Sequence, residues 1–222
     1  MRNNLLVIIY FLLVSFAVTA QEEESTSVLS AGETMELISG HVIFLEIPVE
    51  NDILQLNQLG NENQLTAIQQ LDDVSDYILN ATQQGNRNIG YVNQEGNNHE
   101  SVLFQNGDLN NASLWSVGAK TQNIVKQDGD GNMVNSYIEN FNLLNRVASS
   151  VQIGDKNRID LQLWDTNSSN PLMGVEVIQN GSNNLAGLSL EHYDAPYLKI
   201  EQTGNSAPPV TITHTDFSFP LK

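Results

Sequence analysis

The tripeptide Gln-x-Gly recurs eight times along the chain, starting at Gln58, Gln83, Gln94, Gln105, Gln127, Gln152, Gln179 and Gln202. A repeat of this kind commits a chain to stacked copies of one supersecondary unit rather than to a single closed core. Asn stands five residues after the Gln in six of the eight, at Asn63, Asn88, Asn110, Asn132, Asn157 and Asn184, while His99 and Ala207 fill that slot in the other two. With Gln94 taken as a half-unit, successive starts are 25, 22, 22, 25, 27 and 23 residues apart. The unit is about 22 residues long and accepts insertions.

Within each unit apolar and polar residues alternate, the period of strands and not of helices. Two residues before the eight glutamines stand Leu56, Ala81, Val92, Leu103, Val125, Ser150, Val177 and Ile200, of which seven are apolar. Seven and nine residues after them, small and aliphatic residues dominate, as in Leu65 and Ala67 or Ile159 and Leu161. Arg158, Asp160 and Gln162 fall between and belong on a solvated face. Each unit reads as strand, glycine turn, strand. The turns are placed at Gly60, Gly85, Gly96, Gly107, Gly129, Gly154, Gly181 and Gly204, where a tight turn calls for positive φ or close approach. Gln, Asn and the aliphatics share the inward face, and stacking at about 4.8 Å lets each buried amide hydrogen-bond to its equivalent one rung away. The pattern predicts an all-β fold, a β-solenoid of about seven stacked strand-turn-strand repeats.

Composition agrees with such a ladder. Of 222 residues, 28 are Asn and 16 are Gln, against 35 charged, and there is no Cys. The missing cysteines exclude disulfide scaffolds, thiolate metal centres and cysteine nucleophiles. A net charge of −17 argues against nucleic acid or an anionic bilayer surface as partner, since both need clustered Lys and Arg. Residues 1–20 combine Arg2, an apolar run from Leu5 to Val18 and the small-residue end Val18-Thr19-Ala20, the pattern of a signal peptide cleaved after Ala20. The domain reading is a signal peptide over 1–20, an acidic segment over 21–53 with a targeting or partly disordered character, the repeat solenoid over 54–213 and a tail over 214–222.

The repeat resembles the curlin repeat of bacterial curli fibres, whose pattern is Ser, five residues, Gln-x-Gly-x-x-Asn-x-Ala, three residues, Gln. The nearest stretches are Gln58 to Gln69, Gln83 to Gln94, and Gln105-Asn106-Gly107-Asp108-Leu109-Asn110-Asn111-Ala112. The resemblance covers residues 54–213. It implies export through an outer-membrane curli-type secretion machinery, a stacked β-solenoid, and polymerisation into extracellular, cell-surface amyloid that holds cells in biofilm. Implied partners are further copies of the chain and other curlin-like subunits, with no bilayer insertion. Half-units at Ser116-Val117-Gly118, Asn140-Phe141-Asn142, Asp165-Thr166-Asn167 and His192-Tyr193-Asp194 have lost Gln-x-Gly, and a major, minor or nucleating role stays open.

Searches for chemistry return little. His41, His99, His192 and His214 lack metal-ligand spacing, and no Gly-x-Ser-x-Gly, zincin or Walker pattern occurs, so no enzyme, cofactor or metal is expected. Asp128-Gly129-Asp130-Gly131-Asn132 has closely spaced oxygens but lacks the closing acidic residue of a calcium loop, and reads as a repeat turn. Trp115, Trp164, Tyr91 and Tyr137 fall on the outward register, as stacked aromatics or adhesion contacts. Ala207-Pro208-Pro209 interrupts the last unit, because proline cannot donate to a ladder, and Val210 to Thr213 resumes as a strand. A capped, monomeric solenoid acting as an adhesin or binding module is therefore the alternative to a fibre subunit.

Overall fold

The computed structural model describes residues 25–29, 41–45, 53–68, 77–140, 145–164, 173–190 and 197–213. Two strands, β1 (Ser25–Leu29) and β2 (His41–Leu45), lie within the acidic segment ahead of the repeats. The repeats follow as strand pairs: β3 (Ile53–Leu59) with β4 (Gln64–Ile68), β5 (Tyr77–Gln84) with β6 (Ile89–Val92), and β7 (His99–Asn106) with β8 (Asn111–Ser113). Then come β9 (Thr121–Asp128) with β10 (Met133–Asn135), β11 (Arg146–Ile153) with β12 (Arg158–Asp160), β13 (Met173–Asn180) with β14 (Leu185–Gly187), and β15 (Tyr197–Thr203) with β16 (Val210–Thr211). No helix occurs among the described residues.

Odd-numbered strands form one eight-stranded sheet and even-numbered strands a second, each in sequence order. From β3 onward every neighbour in the first sheet is parallel and in exact repeat register, so that Gln58, Gln83, Gln105, Gln127, Gln152, Gln179 and Gln202 lie opposite one another. The β1–β3 pair alone is antiparallel among the described strands, with Ser25 opposite Gln58. The fold is a parallel β-solenoid. Seven strand pairs stack, β3–β4 through β15–β16; five of them, β5–β6 through β13–β14, form complete internal turns with an equivalent repeat on both sides, while β1 and β2 flank the first pair and β15–β16 ends the stack. The two strands of a turn are also unequal: the first runs to eight residues, the second to three in β8, β10, β12 and β14.

Alternation along the repeat strands β4 to β12 buries every second side chain; β7 and β9 both start buried and alternate throughout. The buried set faces the other sheet and fuses into one core containing Leu56, Leu79, Leu103, Val125, Val177 and Ile200 from the first sheet and Leu65, Ala112, Val134, Ile159 and Ala186 from the second. Each such Leu, Ile or Val, removed from water, contributes about 1.5–3 kcal/mol, which no single 22-residue unit gathers alone.

A second column runs along the corner after each even strand. Counting by repeat length from Gln94 gives Ser116, Ile138, Leu163 and Leu190, all buried. The isolated parallel bridges Gly96 to Gly118 and Val117 to Glu139 hold this corner in the same register. An amide column at one corner thus turns aliphatic along the stack, which keeps burial while losing the Gln-x-Gly signature. The corner is built with bulky residues in left-handed backbone, including Trp115 at φ 110°, Ser116 at 118°, Val117 at 91° and Leu163 at 131°. Such conformations cost of order 1–3 kcal/mol each and persist only where packing enforces them.

Candidate functional site: the inter-rung ladders

The repeat residues meet as three ladders along one corner of the solenoid. In the first, each glutamine Nε2 donates to the Oε1 of the next: Gln58 to Gln83 at 2.6 Å, Gln83 to Gln105 at 2.7 Å, Gln105 to Gln127 at 2.9 Å. Gln127 to Gln152 and Gln152 to Gln179 follow at 3.0 Å, and Gln179 to Gln202 at 2.8 Å. The second amide proton crosses to the facing sheet, as from Gln83 to the Gln64 carbonyl and from Gln105 to the Ile89 carbonyl, both at 3.0 Å. The ladder has a direction: donors point toward the carboxy-terminal end of the stack. Burying an amide is tolerable here because its polar atoms are engaged by equivalents and by backbone.

The second ladder belongs to the asparagines. Asn63 Oδ1 accepts the Asn88 backbone N–H at 2.9 Å, and the same bond recurs from Asn110 to Asn88, Asn132 to Asn110, Asn157 to Asn132 and Asn184 to Asn157 at 3.0 Å. Four of them also donate Nδ2 onward to a glycine carbonyl, Asn63 to Gly85 at 2.9 Å and Asn88 to Gly107, Asn132 to Gly154 and Asn157 to Gly181 at 2.7 Å. Each asparagine therefore fastens its own turn to the next.

A third ladder was not legible from the repeat motif. Three residues after each main glutamine stand Asn61, Asn86, Asp108, Asp130, Asp155, Ser182 and Asn205, and the backbone N–H of each of the first six donates to the side-chain oxygen one rung on. The residue type changes but an acceptor oxygen is always present, which is the signal that finds it. Asp130 Oδ1 thus receives the Asp108 amide at 2.8 Å, and Asp128 Oδ1 the Asn106 side-chain amide at 2.9 Å, so the calcium-like pentapeptide serves inter-rung bonding. Among the described residues no group of three or more His, Asp or Glu is placed to hold a metal.

Glycine is required beside these ladders for two reasons. Seven turn glycines have φ between +102° and +129°, and a Cβ built on Gly60, Gly85, Gly107, Gly129, Gly154 or Gly181 would overlap the carbonyl of the next turn glycine. Gly204, at φ +103°, has nothing within 4 Å of that position. Gly96 lies outside the left-handed region and Gln94 in the second corner, so that pair, taken with the others on sequence grounds, belongs to a different column from the main ladder.

Of the histidines, His99 is described in full: it is buried, its Nδ1 lies 2.6 Å from Thr121 Oγ1, and its ring packs 5.6 Å from Tyr77. One rung beyond Thr121 the same inward column holds Arg146, buried, with its guanidinium pKa pushed below the ordinary value by desolvation. His192 and His214 lie outside the described residues. On the outer surface Trp115, Tyr137 and Trp164 form an edge-to-face row with centroids 5.4 and 5.9 Å apart. The Tyr137 hydroxyl donates to Glu139 at 2.6 Å, and its pKa is pushed up to about 12 by burial first and by that carboxylate second.

No family model matches the chain, and no curated protein and no solved structure matches it.

Proposed function

We propose that the chain is a secreted, curlin-like structural protein that assembles end to end with like solenoids into extracellular amyloid-type fibres, as a minor or nucleating subunit. The observation that carries this reading is the unbroken, unidirectional glutamine ladder from Gln58 to Gln202, a cross-β arrangement already built within one chain. Parallel sheets of this kind expose strand edges at their ends, and edges drive intermolecular pairing. The ladder side chains are spent on inter-rung bonds, which suits a structural role and not catalysis. The apolar segment from Leu5 to Val18 supports export, and the repeat resemblance supports a curli-type secretion route.

The test is to follow the chain lacking residues 1–20 from denaturant by thioflavin fluorescence, with electron microscopy and fibre diffraction at the endpoint. Fibres with a reflection near 4.7–4.8 Å, alone or seeded with another curlin-like subunit, are the expected result. A β-rich monomer that neither polymerises nor joins such fibres overturns it and favours the second reading, a capped solenoid acting as an adhesin. That alternative is supported by the Ala207–Pro209 turn, which folds over the last rung.

A further inference from the structure

The two ends of the stack are chemically unequal. In the interior three groups of every rung point forward, toward the carboxy-terminal neighbour. The glutamine Nε2 donates to the next Oε1, and the asparagine Oδ1 accepts the next asparagine N–H. The backbone N–H six residues after the glutamine donates to the next asparagine carbonyl, as Ile89 to Asn110, Asn111 to Asn132 and Arg158 to Asn184, each at 2.8 Å.

At the last rung all three are gone. Gln202 Nε2 turns back onto the Pro208 carbonyl at 2.8 Å while its other proton goes to Leu185 O at 3.0 Å. The asparagine position holds Ala207, whose N–H ends the asparagine ladder on Asn184 Oδ1 at 2.8 Å and which offers no oxygen onward. The sixth position is Pro208, which has no N–H at all. The outer edge of β15 carries Lys199 and Glu201, charges of the kind that discourage strand addition.

The first rung is the reverse. Gln58, Gly60, Asn61 and Asn63 are all repeat residues. In later rungs the N–H groups equivalent to Gly60, Glu62 and Asn63 donate backward, as Gly85 to Leu59 O, Arg87 to Asn61 O and Asn88 to Asn63 Oδ1. Those of Gly60, Glu62 and Asn63 have no acceptor among the described residues. β1 pairs with Leu54 to Gln58 and β2 with Gln64 onward, so this corner lies between the two pairings, and antiparallel β1 sets Ser25 rather than a glutamine opposite Gln58.

We infer that assembly of this chain is one-ended: the Gly60–Asn63 corner docks the last rung of a Gln-x-Gly-x-x-Asn solenoid that lacks a proline cap, and the Ala207–Pro209 turn stops further addition. Docking exchanges the antiparallel β1 for a parallel strand that continues the Gln58 ladder, and β2 for the incoming rung's second strand along the β4 edge. The chain is then a terminating subunit, an inference that rests on the fibre reading and specifies its geometry.

The test compares the full chain with Ala207→Asn/Pro208→Thr/Pro209→Val, which restores the missing groups at exposed or half-exposed positions, and with a truncation after Ser206, which removes the cap without adding a rung. Elongation is followed by sedimentation and electron microscopy. The expected result is long fibres from both uncapped chains, none from the capped chain alone, and a mean fibre length that falls in proportion as capped chain is mixed into uncapped. Equal elongation by capped and uncapped chains overturns the cap while leaving the fibre reading intact. Elongation of uncapped chains that the capped chain fails to shorten overturns docking at Gly60–Asn63. If no chain elongates while all give the β spectrum of the folded solenoid, the fibre reading and this inference fall together.

Discussion

The Gln105 side-chain amide donates to Gln127 Oε1 at 2.9 Å and, with its second proton, to the Ile89 carbonyl at 3.0 Å, while its own Oε1 accepts from Gln83 at 2.7 Å. It is the mid-stack case of a side chain bonded to two buried glutamines and to a part-buried carbonyl. Replacement by Ala leaves the Gln83 donor and the Gln127 acceptor without a partner in the core, frees the Ile89 carbonyl and opens a cavity. Each stranded group costs about 1–3 kcal/mol, so Gln105→Ala is expected to lower unfolding free energy by at least about 3 kcal/mol. Replacement of outward Arg158, whose ion pair with Asp160 at 2.7 Å is solvent-exposed, is expected to cost under about 1 kcal/mol. Urea midpoints of the two variants check this; comparable losses would contradict the register.

Glycine substitutions separate backbone strain from stacking. Gly107 and Gly204 share a positive φ, at +111° and +103°, but only Gly107 has a neighbouring turn where its Cβ would go. Gly204→Ala is expected to cost about 1–2 kcal/mol, the penalty of a left-handed L-residue. Gly107→Ala must in addition push the Gly129 carbonyl away, breaking the glycine stack, and is expected to leave the chain without a cooperative unfolding transition at 25 °C or with one several-fold smaller in stability. Thermal melts read by circular dichroism distinguish the two.

What the sequence made legible depended on identity. Gln58 to Gln202, Asn63 to Asn184 and the turn glycines beside them repeat as the same residue, because an amide ladder and a glycine overlap accept few substitutes. The acceptor column from Asn61 to Asn205 was hidden because Asn, Asp and Ser all satisfy a backbone N–H. The second corner was hidden for the opposite reason: Gln94 gives way to Ser116, Ile138, Leu163 and Leu190, where packing replaces hydrogen bonding and any buried side chain of suitable volume suffices. The short paired length of the second strands was hidden because alternation continues past β8 and β10 into Leu114 and Ser136, which are buried although outside the paired strands.

The acceptor column places Asp108, Asp130 and Asp155 on consecutive rungs, about 4.8 Å apart by strand spacing. Two unit charges at that distance repel by about 1 kcal/mol even in a water-like dielectric. Asp130→Asn keeps the oxygen that receives the Asp108 amide and removes the charge, so it is expected to stabilise the fold by about 1 kcal/mol at low salt, with the gain shrinking by 1 M salt. A gain independent of salt would assign it to hydrogen bonding instead. On the fibre reading the same repulsion, at net charge −17, makes assembly fastest near the isoelectric point of about 4.3.

Tyr137 sits between Trp115 and Trp164 with its hydroxyl on Glu139, and burial together with that carboxylate raises its pKa to about 12. In the unfolded chain a tyrosine titrates near 10. Between those values the unfolded chain has released a proton that the folded chain retains, so stability falls as pH rises from about 10 to about 12. Below pH 10 the contribution is fully present. Tyr137→Phe keeps the edge-to-face row and removes the ionisation, so this variant is expected to lose less stability than the parent across that window while matching it closely at pH 8. Absorbance titration at 295 nm should in parallel lose one phenol that titrates near 12. A parent and variant with the same alkaline slope would show that the Tyr137 hydroxyl is more open to water than its place in the aromatic row indicates.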